Sequence, residues 1–209
     1  MLERVRTRPR QRLRAVPDRR ARRLGVAALA AGMAMTASVA LAAASKTVEI
    51  PDPKGDVTGA LDLQRASLNL ASDGRLRAVI TLAAKADPSK MLAESGPPGS
   101  VCVKFWTAED ADPTGTRADR LVCVTARTKD ALRATVFSQA APGLPVRVGP
   151  AEVGVNKSGR SLMVRFSQSS LGRPELVRFA IEATRPGCER VSCVDQAPDK
   201  GAVRRFRVR

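Results

Sequence analysis

Hydrophobic and polar residues alternate along much of the chain after residue 60. Every second residue between 76 and 82 is hydrophobic, namely Leu76, Ala78, Ile80 and Leu82. A period of two is typical of a strand that buries one face. Similar short runs predict about nine strands in all, at residues 61–70, 76–82, 101–106, 121–125, 132–137, 146–148, 162–166, 176–181 and 203–208.

Turn-forming residues separate most of these runs. Ser72-Asp73-Gly74 and residues 156–159 have the composition of hairpin turns. Long helical periodicity is absent, and only residues 84–95 favour a short helix or a structured loop. Short strands with regular turns predict an all-β domain over residues 45–209, with the architecture of an antiparallel β-sandwich. Within this domain, only residues 45–54 are predicted to form a linker.

The N-terminal segment has a different pattern. Basic residues run from Arg4 to Arg23, no charged residue occurs from Gly25 to Ala44, and small residues end the apolar stretch. This order is typical of a secretory signal peptide, with cleavage expected after Ala44. An uncleaved anchor helix over residues 25–44 is the alternative, and it would be the only contact with a membrane. In both cases residues 45–209 are expected to be extracytoplasmic, secreted or in the cell envelope.

Charge and composition narrow the function classes. The net charge is +16, but half of it lies in the first 44 residues, which hold ten arginines and two acids. The chain has no His, no Tyr and one Trp, Trp106. Without His, the familiar triads and His-ligated metals are excluded. No phosphate-binding loop or serine-nucleophile motif occurs either, so we expect no enzymatic activity.

All four cysteines lie in the exported part. An even number in an oxidising compartment predicts two disulfides. Cys102 and Cys123 each lie in a strand-like run, and Cys188 and Cys193 flank a short loop. We predict the pairs Cys102–Cys123 and Cys188–Cys193, and the two other pairings stay open.

Carboxylates provide the candidate chemistry. Asp52, Asp56 and Asp62 lie close together in sequence, and further acids occur at 109–112 and at 195–199. Clustered oxygen ligands suit a hard cation such as calcium, so Asp52, Asp56 and Asp62 are candidate calcium ligands. Two alternatives remain: aspartates that only cap turns, and a carboxylate pair that hydrolyses a glycoside.

Two surface features suggest a partner. Trp106 either contacts a ligand or packs in the core. In the last strand, Phe206 and Val208 are expected to face inward and Arg205, Arg207 and Arg209 outward. The basic row either meets an anionic envelope polymer or lipid, or only protects a solvated edge strand. Nucleic acid is not expected as a partner, because no aromatic residues accompany the basic ones.

The segment 52–63, Asp-Pro-Lys-Gly-Asp-Val-Thr-Gly-Ala-Leu-Asp-Leu, is followed by two alternating strands. It resembles the opening of DOMON-like secreted bacterial β-sandwich modules, a superfamily that includes some carbohydrate-binding modules. The resemblance covers residues 52–82. It implies the sandwich and a calcium role for Asp52, Asp56 and Asp62. Sugar-binding members use aromatic platforms and haem-binding members use Met and His, which this chain largely lacks.

The sequence therefore predicts a non-catalytic exported β-sandwich, a binding or structural module of the cell envelope or extracellular space. The alternatives are a carbohydrate-binding module that uses Trp106 and a carboxylate-dependent extracellular hydrolase.

Overall fold

The computed structural model describes residues 46–57, 59–108, 113, 117–139, 143–187 and 193–209. The predicted signal segment, 1–44, lies outside the described residues. Eleven strands are described: β1 (Thr47–Pro51), β2 (Leu63–Leu70), β3 (Leu76–Leu82), β4 (Ser100–Trp106), β5 (Arg120–Thr128), β6 (Ala131–Ser138), β7 (Val146–Val155), β8 (Ser161–Phe166), β9 (Leu176–Thr184), β10 (Val194–Ala197) and β11 (Arg204–Arg207). Two single-turn 3-10 helices lie at Pro88–Met91 and Gln168–Leu171.

All strand pairs are antiparallel, in the order β1-β2-β3-β8-β7-β6-β5-β4-β9-β10, with β11 also paired to β9. The all-β antiparallel prediction is thus confirmed, with eleven strands rather than about nine. Strand β7 joins two halves of the sheet, because residues 146–151 pair with β6 and residues 152–155 with β8. The result is one continuous, nearly barrel-shaped sheet.

The alternating residues of β2 and β3 form part of one hydrophobic core. Leu76, Ala78, Ile80 and Leu82 are fully buried, as the sequence pattern predicts. Phe105 on β4 contacts Phe166 on β8, with ring centroids 5.6 Å apart, so the two halves of the sheet pack against each other. The predicted hairpin turns are also present: Gly74 (φ 76°) and Gly159 (φ 77°) take the left-handed conformation that glycine adopts without steric cost.

The prediction of a linker at residues 45–54 is wrong, because Thr47–Pro51 form the edge strand β1, which pairs with β2. The expected short helix within 84–95 is confirmed as the 3-10 turn at Pro88–Met91. Strand β7 is longer than the predicted run at 146–148, and Gly149 and Pro150 lie inside it.

The predicted bond between Cys102 and Cys123 is confirmed. These residues are directly opposite each other on β4 and β5, with Cα atoms 4.0 Å apart. Cys193 is also disulfide-bonded, whereas its predicted partner, Cys188, lies outside the described residues. That second pairing stays a prediction.

Candidate metal centre

The connection between β1 and β2 supplies three aspartates. Asp52 follows β1 directly, and its N–H donates to the carbonyl of Gln64 (3.0 Å). Asp62 precedes β2, and one of its carboxylate oxygens, Oδ2, accepts from the N–H of Gly55 (3.0 Å). This contact folds the connection back on itself, so that Asp52 and Asp56 approach the same end of the sheet.

A fourth aspartate comes from the distant strand β10. Asp195 is 2% exposed, and its Oδ2 accepts from the N–H of Leu63 at 2.6 Å. Because β10 and β2 lie near opposite ends of the strand order, this hydrogen bond links the two ends of the sheet. The loop carboxylates therefore meet Asp195 where the barrel-like sheet comes close to closing.

The carboxylates of Asp52, Asp56 and Asp195 define what we call the acidic site. Each offers one oxygen atom, and these three atoms lie within 4.8 Å of one another. Asp52 is only 8% exposed, and neither of its carboxylate oxygens has a hydrogen-bond partner. Oδ1 of the neighbouring Asp62 is also buried without a partner. Buried carboxylate oxygens without donors are costly, and a bound cation would satisfy them.

Burial and mutual repulsion change the acidity of this site. The pKa of Asp52 is raised to about 7, first by burial and then by the negative charges of Asp195, Asp56, Asp199 and Asp62. Burial also raises the pKa of Asp195 to about 6, although hydrogen bonds from the backbone of Leu63 and Gln196 oppose that rise. Near neutral pH the fully ionised site is thus unfavourable without a positive charge, and such a charge would favour ionisation.

The structure brings together two of the three predicted calcium ligands. Asp52 and Asp56 are in the acidic site, whereas Asp62 lies beside it and holds the turn at Gly55. The sequence pattern did not connect Asp195 with Asp52, because the two are far apart in the chain and meet only through the strand order. The acids at 109–112 lie outside the described residues.

The candidate ligand residue Trp106 is only 4% exposed. Its ring packs with Ala118 and Ala180 in a small cluster separate from the main core. The Nζ atom of Lys104 lies 5.9 Å from the ring centroid and also pairs with Glu182 at 2.8 Å. Trp106 lines a cavity of about 370 Å³, but a ring this buried does not offer an open face on which a sugar could stack.

The side chains of the last strand alternate between the core and the solvent, as the sequence pattern predicts. Phe206 and Val208 are buried, and Arg205, Arg207 and Arg209 are exposed. Strand β11 pairs with the first part of β9, so the basic row lies beside the edge where β1 and β11 come into contact.

Comparison with protein-family models, with curated proteins and with solved structures finds no match to this chain. Within the part of the chain that the structure describes, no helix has the length and hydropathy of a membrane span.

Proposed function

We propose that residues 45–209 form a non-catalytic, exported β-sandwich-like module of the cell envelope or extracellular space, and that its acidic site binds calcium. One observation carries the cation proposal: two carboxylates from the β1–β2 connection meet Asp195 of β10, and both oxygens of the buried Asp52 lack a partner. A cation at this point would tie the connection to β10 and hold the two ends of the sheet together.

Calcium fits this donor set better than a softer metal does. All the side-chain donors are carboxylate oxygens, which hard cations prefer, and calcium accepts the irregular arrangements that flexible loops supply. Asp56 is exposed whereas Asp195 is buried, so the acidic site has a solvent-facing side that water ligands could complete. Extracellular modules often bind calcium with dissociation constants of about 0.1–1 mM, and an affinity in that range is proposed here.

Calcium is expected to stabilise the purified protein. At about 10 mM calcium and near-neutral pH, an affinity of this order should add about 1.5–2.5 kcal/mol to the free energy of unfolding. Thermal unfolding should shift upward by several degrees, about 3–10 °C for a domain of this size. The measurement is a melting curve with calcium and another after excess chelator is added.

Two matched variants test whether this effect belongs to the acidic site. Asp56→Asn should abolish most of the shift, because it removes the exposed carboxylate of the site. Asp130→Asn should leave the shift unchanged, since Asp130 is an exposed turn residue between β5 and β6. An equal response of both variants, or no shift in the parent protein, would contradict the calcium proposal.

Burial supports a non-catalytic function. Asp52 and Asp195 are almost fully covered, which leaves little room for a substrate at the carboxylates. Burial of Trp106 disfavours the carbohydrate-binding alternative for the same reason. The raised pKa values of Asp52 and Asp195 favour the hydrolase alternative, since a general acid must hold a proton near neutral pH. Hydrolysis of a glycoside by the purified protein, abolished in Asp52→Asn, would support that alternative instead.

Export is proposed from the N-terminal sequence, and the Cys102–Cys123 bond is consistent with an oxidising compartment. When the chain is expressed with residues 1–44 in a bacterial host, the mature protein is expected to begin at Ser45. N-terminal sequencing of protein recovered from the medium or envelope provides the measurement. Mature protein that keeps the arginine-rich segment would show that residues 25–44 are retained as an anchor.

A further inference from the structure

A cavity of about 780 Å³ opens on a face of the protein where cationic side chains converge. It lies between the β2–β3 turn, strand β8 and the C-terminal segment. Its lining includes five cationic side chains and one acid, Asp73. We call it the basic cleft and define it by its cations: Lys46, Arg77, Arg165, Arg207 and Arg209.

Two of these arginines are directly opposed. Arg77 on β3 and Arg165 on β8 are register partners in an antiparallel pair, so their side chains leave the same face of the sheet at adjacent positions. Like charges in this arrangement repel each other. The arrangement is unfavourable for the free protein, and an anion placed between the two guanidinium groups would turn it into a favourable one.

Two acids close to this pair form their ion pairs with Arg75. Glu152, the register partner of Arg165 on β7, pairs instead with Arg75 at 2.6 Å. Asp73 also pairs with Arg75, at 2.9 Å. Among the described residues, none of the five cations of the basic cleft forms an ion pair with an acidic side chain. The cleft therefore keeps an excess of positive charge.

One neutral side chain helps to hold this arrangement. Asn69, the register partner of Arg77 on β2, accepts a hydrogen bond through Oδ1 from Nε of Arg77 (3.2 Å). This contact uses the Nε donor and leaves the terminal nitrogen atoms of that guanidinium group for a ligand. Arg77 is thus positioned by its own sheet before any ligand arrives, which lowers the entropy lost on binding.

We propose that the basic cleft binds a ligand that carries two or more phosphate groups. A carboxylate presents two oxygens in one plane, which match a single guanidinium fork. A phosphate group has three or more oxygens in a tetrahedral arrangement and can accept from two guanidinium groups at once. The opposed Arg77 and Arg165 can share one phosphate, and Arg207 and Arg209 are available for a second.

The shape of the cleft favours a soluble ligand with linked phosphate groups over a membrane surface or a nucleic acid. A concave cavity encloses a discrete group, whereas a bilayer presents a plane of headgroups. The one aromatic residue in the lining, Phe206, is 1% exposed, so no aromatic platform is present for a base. This proposal does not depend on the acidic site, since no residue is common to the two.

Titration of the purified protein with inorganic tripolyphosphate tests the proposal. A chelator is present throughout, because tripolyphosphate binds calcium. We expect saturable binding that weakens as sodium chloride is raised, because fixed charges attract the ligand. The double variant Arg77→Gln/Arg165→Gln should lose at least about tenfold in affinity, since each arginine contributes charge-assisted hydrogen bonds.

A second variant and a matched control make the result specific. Arg207→Gln/Arg209→Gln changes exposed residues at the end of the chain and should also weaken binding about tenfold or more. The control Arg127→Gln/Arg133→Gln removes the same charge from exposed positions on β5 and β6 outside the cleft, and affinity should stay within about twofold. Circular dichroism and a melting curve show that each variant is folded.

Four results would overturn the proposal. One is the absence of saturable tripolyphosphate binding, and another is an equal loss in the control and the cleft variants. Equal affinity for polyglutamate would show that the cleft selects charge alone and not phosphate. Binding to phosphatidylglycerol vesicles without binding to tripolyphosphate would assign the face to a membrane surface instead.

Discussion

Replacing Asp52 by Asn is expected to stabilise the calcium-free protein by about 2–4 kcal/mol near pH 8. Asp52 is buried, its carboxylate has no hydrogen-bond partner, and its pKa is raised from 3.8 to about 7. Above that pH the folded protein must hold a buried negative charge beside Asp195 and Asp56. An amide of nearly the same shape carries no charge, so it removes the repulsion and most of the cost of burial.

The sign of the pH dependence follows from the raised pKa. Between about pH 4 and pH 7 the folded protein keeps a proton on Asp52 that the unfolded chain has already released. The proton therefore favours the folded state at low pH, and the parent protein should lose stability as the pH rises through this window. The Asp52→Asn variant lacks this group, so the two proteins should differ little near pH 4 and most at about pH 7 and above.

Urea unfolding at several pH values, in chelator and in calcium, measures both effects. In calcium the difference in unfolding free energy between the two proteins should become smaller or change sign. The parent protein gains stability from the cation, whereas the variant lacks one of its ligands. The exposed variant Asp130→Asn serves as a control and should follow the parent protein at every pH. If Asp52→Asn were less stable than the parent near pH 8 in chelator, the carboxylate would be stabilising, and the unpartnered state derived from the structure would be wrong.

Local pattern was sufficient for much of the fold. The alternation of residues 76–82 and the glycine turns at 74 and 159 depend on neighbours in sequence, and the structure has them as predicted. The strand predicted at 146–148 ends too early, because Gly149 and Pro150 are poor strand formers, whereas the observed strand β7 continues to Val155. In the structure β7 pairs with β6 through its first part and with β8 through its second, and the first part contains a register shift opposite Val136 and Phe137. Tertiary pairing therefore overrode the local preference.

The acidic site and the basic cleft show the same limit. The proximity of Asp52 and Asp56 in the sequence is sufficient to predict that they belong to one site. Asp195 joins them only because β10 approaches β2. In the same way the outward arginines of the last strand could be identified from alternation. Their grouping with Arg77 and Arg165 depends on the pairing of β3 with β8 and on the position of β11 along β9. No periodicity within one segment contains that information.

Removing the bond between Cys102 and Cys123 is expected to cost about 3 kcal/mol of unfolding free energy. The two cysteines are 21 residues apart in sequence, and the bond closes a loop that the unfolded chain would otherwise leave open. The double variant Cys102→Ala/Cys123→Ala is the correct change, because a single substitution would leave a free thiol. The measurement is urea unfolding without reductant, at fixed pH and calcium.

The variant Cys188→Ala/Cys193→Ala provides the comparison, because the predicted second bond closes a much shorter loop. In the chain-entropy model a loop of this length contributes about 2 kcal/mol, less than the first bond. Addition of reductant should lower the stability of the parent protein by more than that of either variant, since each variant retains one bond. Equal losses in the two variants would show that loop length does not govern the effect. A loss well below about 1 kcal/mol on removing the first bond would show that the unfolded chain already keeps the segments of β4 and β5 close together, so that closing the loop costs little entropy.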